Sequence, residues 1–196
     1  MKSGWLFVFG LACGVAVMAA PRVAAHLHGV IRGAKSPAGT QRAHTKEEFW
    51  FTAHAPMEQV APLFGADKER EWSPHWNPQF LYPVPAADQQ GMVFGVAHGH
   101  LQSVWVNTEL DLKNGRIQYV YVIPDAVATV ITLHLAGEGN QTQVQVEYER
   151  TALSADTDEH VRHLGEGDRN SGPEWEKQVN GYLEKAHGGQ AGAGNP

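Results

Sequence analysis

The sequence predicts an α+β fold: an antiparallel sheet bracketed by helices. Three observations predict it. Residues 143–150 alternate cleanly, with Val144, Val146 and Tyr148 on one face and Gln143, Gln145, Glu147 and Glu149 on the other. That period of two marks a strand with one buried face, as antiparallel sheets use. The runs 116–123 and 127–135 are rich in β-branched and aromatic residues. They are set off by the turn signals Lys113-Asn114-Gly115, Pro124-Asp125 and Gly137-Glu138-Gly139-Asn140. Finally, residues 173–185 bring Trp175, Val179, Tyr182 and Leu183 onto one side at helical spacing.

Residues 1–25 precede the folded unit. Lys2 is followed by an apolar run from Trp5 to Ala20 and by the small residues Val23-Ala24-Ala25. This is the pattern of a secretory signal peptide cut after Ala25. The rival reading is an uncleaved anchor, for which the run falls somewhat short of the ~20 apolar residues a spanning helix needs. The expected location is periplasmic or secreted, with membrane contact only through an uncleaved segment 5–20. Cys13 is the only cysteine, so the mature chain has no disulfide and no thiol chemistry. Residues 26–43 lack periodicity and are expected to be a flexible linker. Residues 187–196, HGGQAGAGNP, are expected to be a disordered Gly-rich tail. The domain is placed at 44–186.

The chain has 196 residues, is 42% hydrophobic and carries a formal net charge of −6. That is enough apolar material for a packed core. An acidic balance with no Lys/Arg run argues against nucleic acid as a partner.

Within the domain, residues 47–54 read as the first strand. Pro56 suits the first turn of a short helix that reaches Phe64, with Pro62 distorting it and Gly65 ending it. Next comes EWSPHWNPQF at 71–80. Trp72, Trp76 and Phe80 recur every four residues, but Pro74 and Pro78 favour a turn. Either Trp72 caps the core and the prolines stiffen the loop, or the aromatics wall a site for a planar ligand.

Residues 91–151 read as a meander. In MVFGVAHGH at 92–100, Met92, Phe94, Val96, His98 and His100 share a face. Histidines two apart on a strand can hold a metal or move protons, but no third ligand accompanies them. In residues 101–112 the more apolar set, Val104, Val106, Leu110 and Leu112, is expected inward. Trp105 then falls outward with Ser103 and Asn107, unless a bulge inverts the assignment. Tyr119 and Tyr121 share the inward face with Ile117 and Ile123. A short helix at 157–164 is expected to stop at Gly165 and Gly167, and Ser171 with Glu174 fits a capping box for the last helix.

One strand, short helices, a meander and a C-terminal helix is the order of the helix-grip fold. The chain resembles the START-like (SRPBCC) superfamily, which includes polyketide cyclase/dehydrase-like and lipid-transfer proteins. The resemblance rests on FWFTAHAPMEQVAPLF at 49–64, EREWSPHWNP at 69–78, VWVNTELDLKNGRIQYVYVIP at 104–124 and VEYERTALSADTDEH at 146–160. It spans roughly 47–186. It implies a curved antiparallel sheet around the last helix, with an apolar cavity between them. Trp72, Trp76, Phe80, Met92, Phe94, Val96, His98, His100, Val104, Val106, Tyr119, Tyr121, Tyr148, Trp175 and Val179 would line that cavity. The family's C-terminal helix is usually unbroken, whereas GEGDRNSGP at 165–173 interrupts it here.

There is no Gly-rich phosphate loop, no Gly-x-Ser-x-Gly and no His-Glu-x-x-His. No cofactor, metal or catalytic residue is implied. The leading expectation is an exported binder of a small hydrophobic molecule. Behind it stand a cyclase/dehydrase-like enzyme using His98, His100 or a cavity tyrosine, and an interaction module with a filled core.

Overall fold

The computed structural model describes residues 41–99 and 101–191. The expected signal segment, most of the linker, His100 and the last five residues lie outside the described residues. Strand β1 (His44–Ala53) is followed by helix α1 (Met57–Val60) and a 3₁₀ turn at Ala61–Phe64. Pro62 accounts for the change of helix type, since its ring removes an amide donor from the helical ladder. A second 3₁₀ turn, Lys68–Glu71, leads into the loop that reaches β2 (Gln79–Tyr82). The meander follows as β3 (Val93–His98), β4 (Leu101–Asp111), β5 (Arg116–Ile123), β6 (Val127–Glu138) and β7 (Gln141–Ala152). Helices α2 (Asp158–Asp168) and α3 (Gly172–Ala191) close the chain. The last helix thus continues into the segment expected as a tail.

The seven strands form one sheet in the order β1-β7-β6-β5-β4-β3-β2. Every pairing is antiparallel. β7 returns beside β1, so the first strand closes the far side of the meander. β1 would otherwise present an open edge. Near its end the Asn180 side chain of α3 covers that edge: His54 N–H donates to Asn180 Oδ1 at 2.7 Å, and Asn180 Nδ2 donates to the Thr52 carbonyl at 2.8 Å.

Two sequence expectations are corrected here. The first is the register of β4. Trp105 is fully buried, while Val104 and Val106 are exposed by 46% and 36%. These two valines therefore face outward and line no interior. Phe94 pairs with Trp105 and Tyr121 with Trp105, which sets the inward row. The register shifts between Asn107 and Glu109, so Thr108 is an extra residue that inverts the alternation. Leu110, beyond the bulge, pairs with the buried Ile117 and keeps its inward side. Inward Ser103 is tolerated because its hydroxyl is hydrogen-bonded, and Asn107 because its Nδ2 is. Ser103 Oγ donates to the Val96 carbonyl at 3.2 Å, and Asn107 Nδ2 donates to the carbonyls of Glu109 and Gln118.

The second correction concerns the helix break. α2 runs through Gly165 and Gly167 and ends at Asp168. Gly165 serves close packing: a Cβ there would stand 3.0 Å from Thr45 Cβ on β1. Ser171 Oγ donates back to the Gly167 carbonyl at 2.9 Å, so this hydroxyl closes the end of α2.

Candidate functional site

The tryptophans of EWSPHWNPQF are core residues that also tie down their own loop. Trp72 and Trp76 are 6% and 5% exposed. Their indole N–H groups donate to the carbonyls of Leu63, at 2.6 Å, and Ala66, at 2.7 Å. A buried indole needs such a partner, and here the partners are backbone groups of the preceding 3₁₀ segment and its exit. Between them the chain turns sharply, with His75 at φ +72 immediately after Pro74.

The interior divides into two aromatic groups. Trp175 of α3 sits among Phe49, Phe51, Phe64 and Trp72, with ring centroids 5.4–6.2 Å apart. Trp76, Phe94, Trp105, Tyr119 and Tyr121 form the second group. Its tightest pair is Trp105 stacked on Tyr121, with centroids at 4.2 Å. Phe80 stacks on Phe94 at its margin. Of the residues expected to line a cavity, Met92, Phe94, Tyr119, Tyr121, Trp175 and Val179 retain 0–1% of their surface. The wall of a ligand-sized void would retain surface that a water molecule could touch. These side chains touch one another instead, and the space between α3 and the sheet is filled where they meet. Val96 and Tyr148 are buried almost as deeply.

The groups considered for proton transfer are occupied structurally. His98 Nε2 lies 2.8 Å from Ser103 Oγ, which also accepts the Trp105 indole N–H at 2.6 Å. Tyr119 O–H donates to the Phe64 carbonyl at 2.8 Å. Burial pushes its phenol well above the ordinary value of 10.0, and the carboxylates of Asp88 and Glu69 add to the rise. Burial also raises the Asp88 carboxyl, against the opposing amides of Asp67 and Lys68. His100 lies outside the described residues. Among the described residues no cluster of three or more His, Cys, Asp or Glu could hold a metal.

A buried charge network escaped the sequence reading. Arg150 on β7 is 2% exposed. Its guanidinium forms a two-pronged pair with Asp168 at the end of α2, Nε to Oδ2 at 2.6 Å and Nη2 to Oδ1 at 2.8 Å. Nη1 donates to Tyr121 O–H and to Thr129 Oγ1, and the group lies 4.5 Å from the centroid of the Tyr148 ring. The signal was present in the sequence. Arg150 continues the inward alternation of Val144, Val146 and Tyr148, so a cation was bound to enter the core face and need an anion there.

Open space of ligand size lies on another side of α3. A groove of about 960 Å³ runs between the 70–74 turn and α3. Trp72, Pro74, Pro173 and Gly181 form part of its wall, with Ser73 and Tyr182. Tyr182 O–H donates to the Glu71 carboxylate, which also takes the Lys68 ammonium at 2.8 Å. Those two bonds, Lys68 first, hold the Glu71 carboxyl below its ordinary value. Ser73 is 3% exposed, and its Oγ has no hydrogen-bond partner among the described residues. A buried polar atom left unpaired costs about 1–3 kcal/mol, so Ser73 is an exception that asks for a partner. Only Trp72 of the expected site residues borders this groove.

A seven-stranded antiparallel sheet gripping a C-terminal helix, with short helices after its first strand, is the helix-grip fold. Solved structures with this fold make the comparison concrete. A point mutant of norcoclaurine synthase from Thalictrum flavum, in complex with a transition-state analogue, superposes with a TM-score of 0.54. It is 11% identical, over 75% of this chain and 99% of that one. The protein Ara h 8.0201 gives 0.52 at 10% identity over 73% of this chain and 99% of its own. The ZhuI aromatase/cyclase from Streptomyces sp. R1128 gives 0.51 at 16% identity over 74% and 94%. At such identities the likeness establishes the fold. No family model matches the chain, and no curated protein does.

Proposed function

We propose that the protein is an exported carrier that binds a small hydrophobic molecule, lipid-like or aromatic, without transforming it. The observation that carries this reading is the groove beside α3. Its volume of about 960 Å³ falls in the range of roughly 300–1,000 Å³ occupied by small-molecule sites. It combines an indole and two prolines with an unpaired serine hydroxyl. Affinity would come from apolar burial, at about 25 cal/mol per Å² as an upper guide. Proteins of this fold include one captured with a transition-state analogue. That analogy supports a small-molecule ligand without naming one. The enzyme reading gains no support, because His98, Tyr119 and Tyr121 are spent on Ser103, Phe64 and Arg150. Export rests on the N-terminal pattern of residues 1–25. No helix among the described residues is long and apolar enough to cross a membrane.

The test is native mass spectrometry of protein exported to the periplasm and purified without detergent. A mass matching His26–Pro196 with a reproducible small adduct is expected. A bare polypeptide, with nothing recovered by solvent extraction, would overturn the carrier reading. A full-length mass would instead indicate a protein tethered by residues 5–20.

A further inference from the structure

We propose that the occupant of the groove is an uncharged, ring-bearing molecule with one hydrogen-bonding group, held by Ser73, and that Gly181 makes room for it. This rests on the binding reading above and names the ligand class of that same site.

The wall carries Arg70, Lys177 and Lys185 against Glu71, Glu176 and Glu184. Arg70 is committed to Asp67, Asn77 and the Pro78 carbonyl, and Glu71 to Lys68 and Tyr182. The other four alternate in sign along α3, so an ionic head placed there meets both signs. The wall rewards no net charge on the ligand, and burying one would cost desolvation.

The buried amide of Asn180 also borders the groove, but both its Oδ1 and its Nδ2 serve β1. Gln178 Nε2 is held by Glu174. The Ser73 hydroxyl is the uncharged hydroxyl on the wall that has no partner among the described residues. A serine hydroxyl both donates and accepts, and its rotamers are staggered wells within easy reach. It suits a ligand hydroxyl, carbonyl or N–H.

Gly181 sits mid-helix, where alanine would be favoured. Beyond its two chain neighbours and the backbone of its own helix, no atom lies within 4 Å of the place its Cβ would occupy. The bare backbone of α3 therefore opens into the groove beside Trp72, Pro74 and Pro173. A flat ring can lie there, where a side chain would block it.

A matched pair of fluorescent probes tests this in the protein spanning residues 26–196: neutral N-phenyl-1-naphthylamine and 1-anilinonaphthalene-8-sulfonate, the same skeleton with a sulfonate. The neutral probe is expected to bind at least tenfold more tightly. Gly181→Leu should weaken it at least tenfold while leaving the melting temperature unchanged or raised, which separates blocking from unfolding. Ser73→Ala should weaken it about threefold to tenfold. Equal or tighter binding of the sulfonate overturns the uncharged ligand. Neutral-probe binding that ignores both substitutions overturns the groove as the site, while leaving a carrier with its site elsewhere. Absence of any probe binding, together with a bare native mass, overturns both readings.

Discussion

Removing the Asp168 carboxylate should expose how much of the fold depends on one buried ion pair. Arg150 and Asp168 side chains are 2% and 8% exposed, so solvent screens neither. Asp168→Asn replaces one of the two acceptor oxygens by an amide donor, which faces a guanidinium N–H that also donates. One charge-assisted bond is lost and the cation stays buried without its counter-ion. Breaking a buried pair in this way typically costs 3–5 kcal/mol. Tyr121, Thr129 and the Tyr148 ring still solvate the guanidinium, which places the expected loss near the lower end, about 3 kcal/mol. At a urea slope of about 2 kcal/mol per M, the unfolding midpoint drops by ~1.5 M. Arg150→Met should cost a similar amount by stranding the carboxylate. The double variant should be more stable than either single one, because it strands no ion. Urea unfolding of all four proteins, with the slope fitted, measures the coupling. A loss under 1 kcal/mol for Asp168→Asn, or strict additivity in the double variant, would refute the reasoning.

Four further outcomes follow from the same structure. Trp105→Ala should cost about 3–5 kcal/mol and Val104→Thr less than ~0.5 kcal/mol, reversing the ranking that plain alternation gives to β4; thermal melts decide it. Gly172→Ala places a Cβ 2.9 Å from the Trp50 carbonyl oxygen and should destabilise by about 1–3 kcal/mol, whereas Gly181→Ala should stabilise by ~0.5–1 kcal/mol. Tyr119 has its folded phenol well above 10.0, so its contribution is intact below the unfolded value and is lost as pH rises through the folded one. Tyr119→Phe should flatten the alkaline fall in stability while costing about 1 kcal/mol at neutral pH, read by urea titrations across pH. His160 is lowered from 6.5, chiefly by burial, with His163 and Arg150 adding. Its contribution is present above that value and fades as pH falls through the folded one, and His160→Gln should remove that acid-side slope.

How far the sequence was legible depends on whether a residue's neighbours are local. β7 and β5 were readable because their alternation runs unbroken and every inward residue except Thr142 and Arg150 is apolar or aromatic. β4 misled because two polar residues, Ser103 and Asn107, point inward with partners on other segments or beyond a bulge. A polarity pattern scores them as outward, and Thr108, the residue that shifts the register, carries no special signature. Pro62 was legible as a local distortion because its effect is covalent. The groove was not legible at all. It joins residues 70–74 to residues 173–185, and only the topology sets them side by side.

The break in the C-terminal helix explains why, among the described residues, aromatic side chains fill the space where α3 meets the sheet. Asp168 ends α2 by reaching into the sheet for Arg150, and this fixes where the chain can begin again. α3 then starts at Gly172 so close to β1 that a Cβ would stand 2.9 Å from the Trp50 carbonyl oxygen. Three residues later that approach drives Trp175 in among Phe49, Phe51, Phe64 and Trp72. An indole occupies the place where a helix set farther from the sheet would leave a void. Close packing of this kind leaves no partly filled option, because a gap of even part of an ångström forfeits contacts. Trp175 fills the space beneath α3, while Gly181 leaves space on the flank beside the 70–74 turn. A ligand entering from that flank would meet α3 and Trp72 without displacing the aromatic core, so binding and folding would draw on separate surfaces of the same helix.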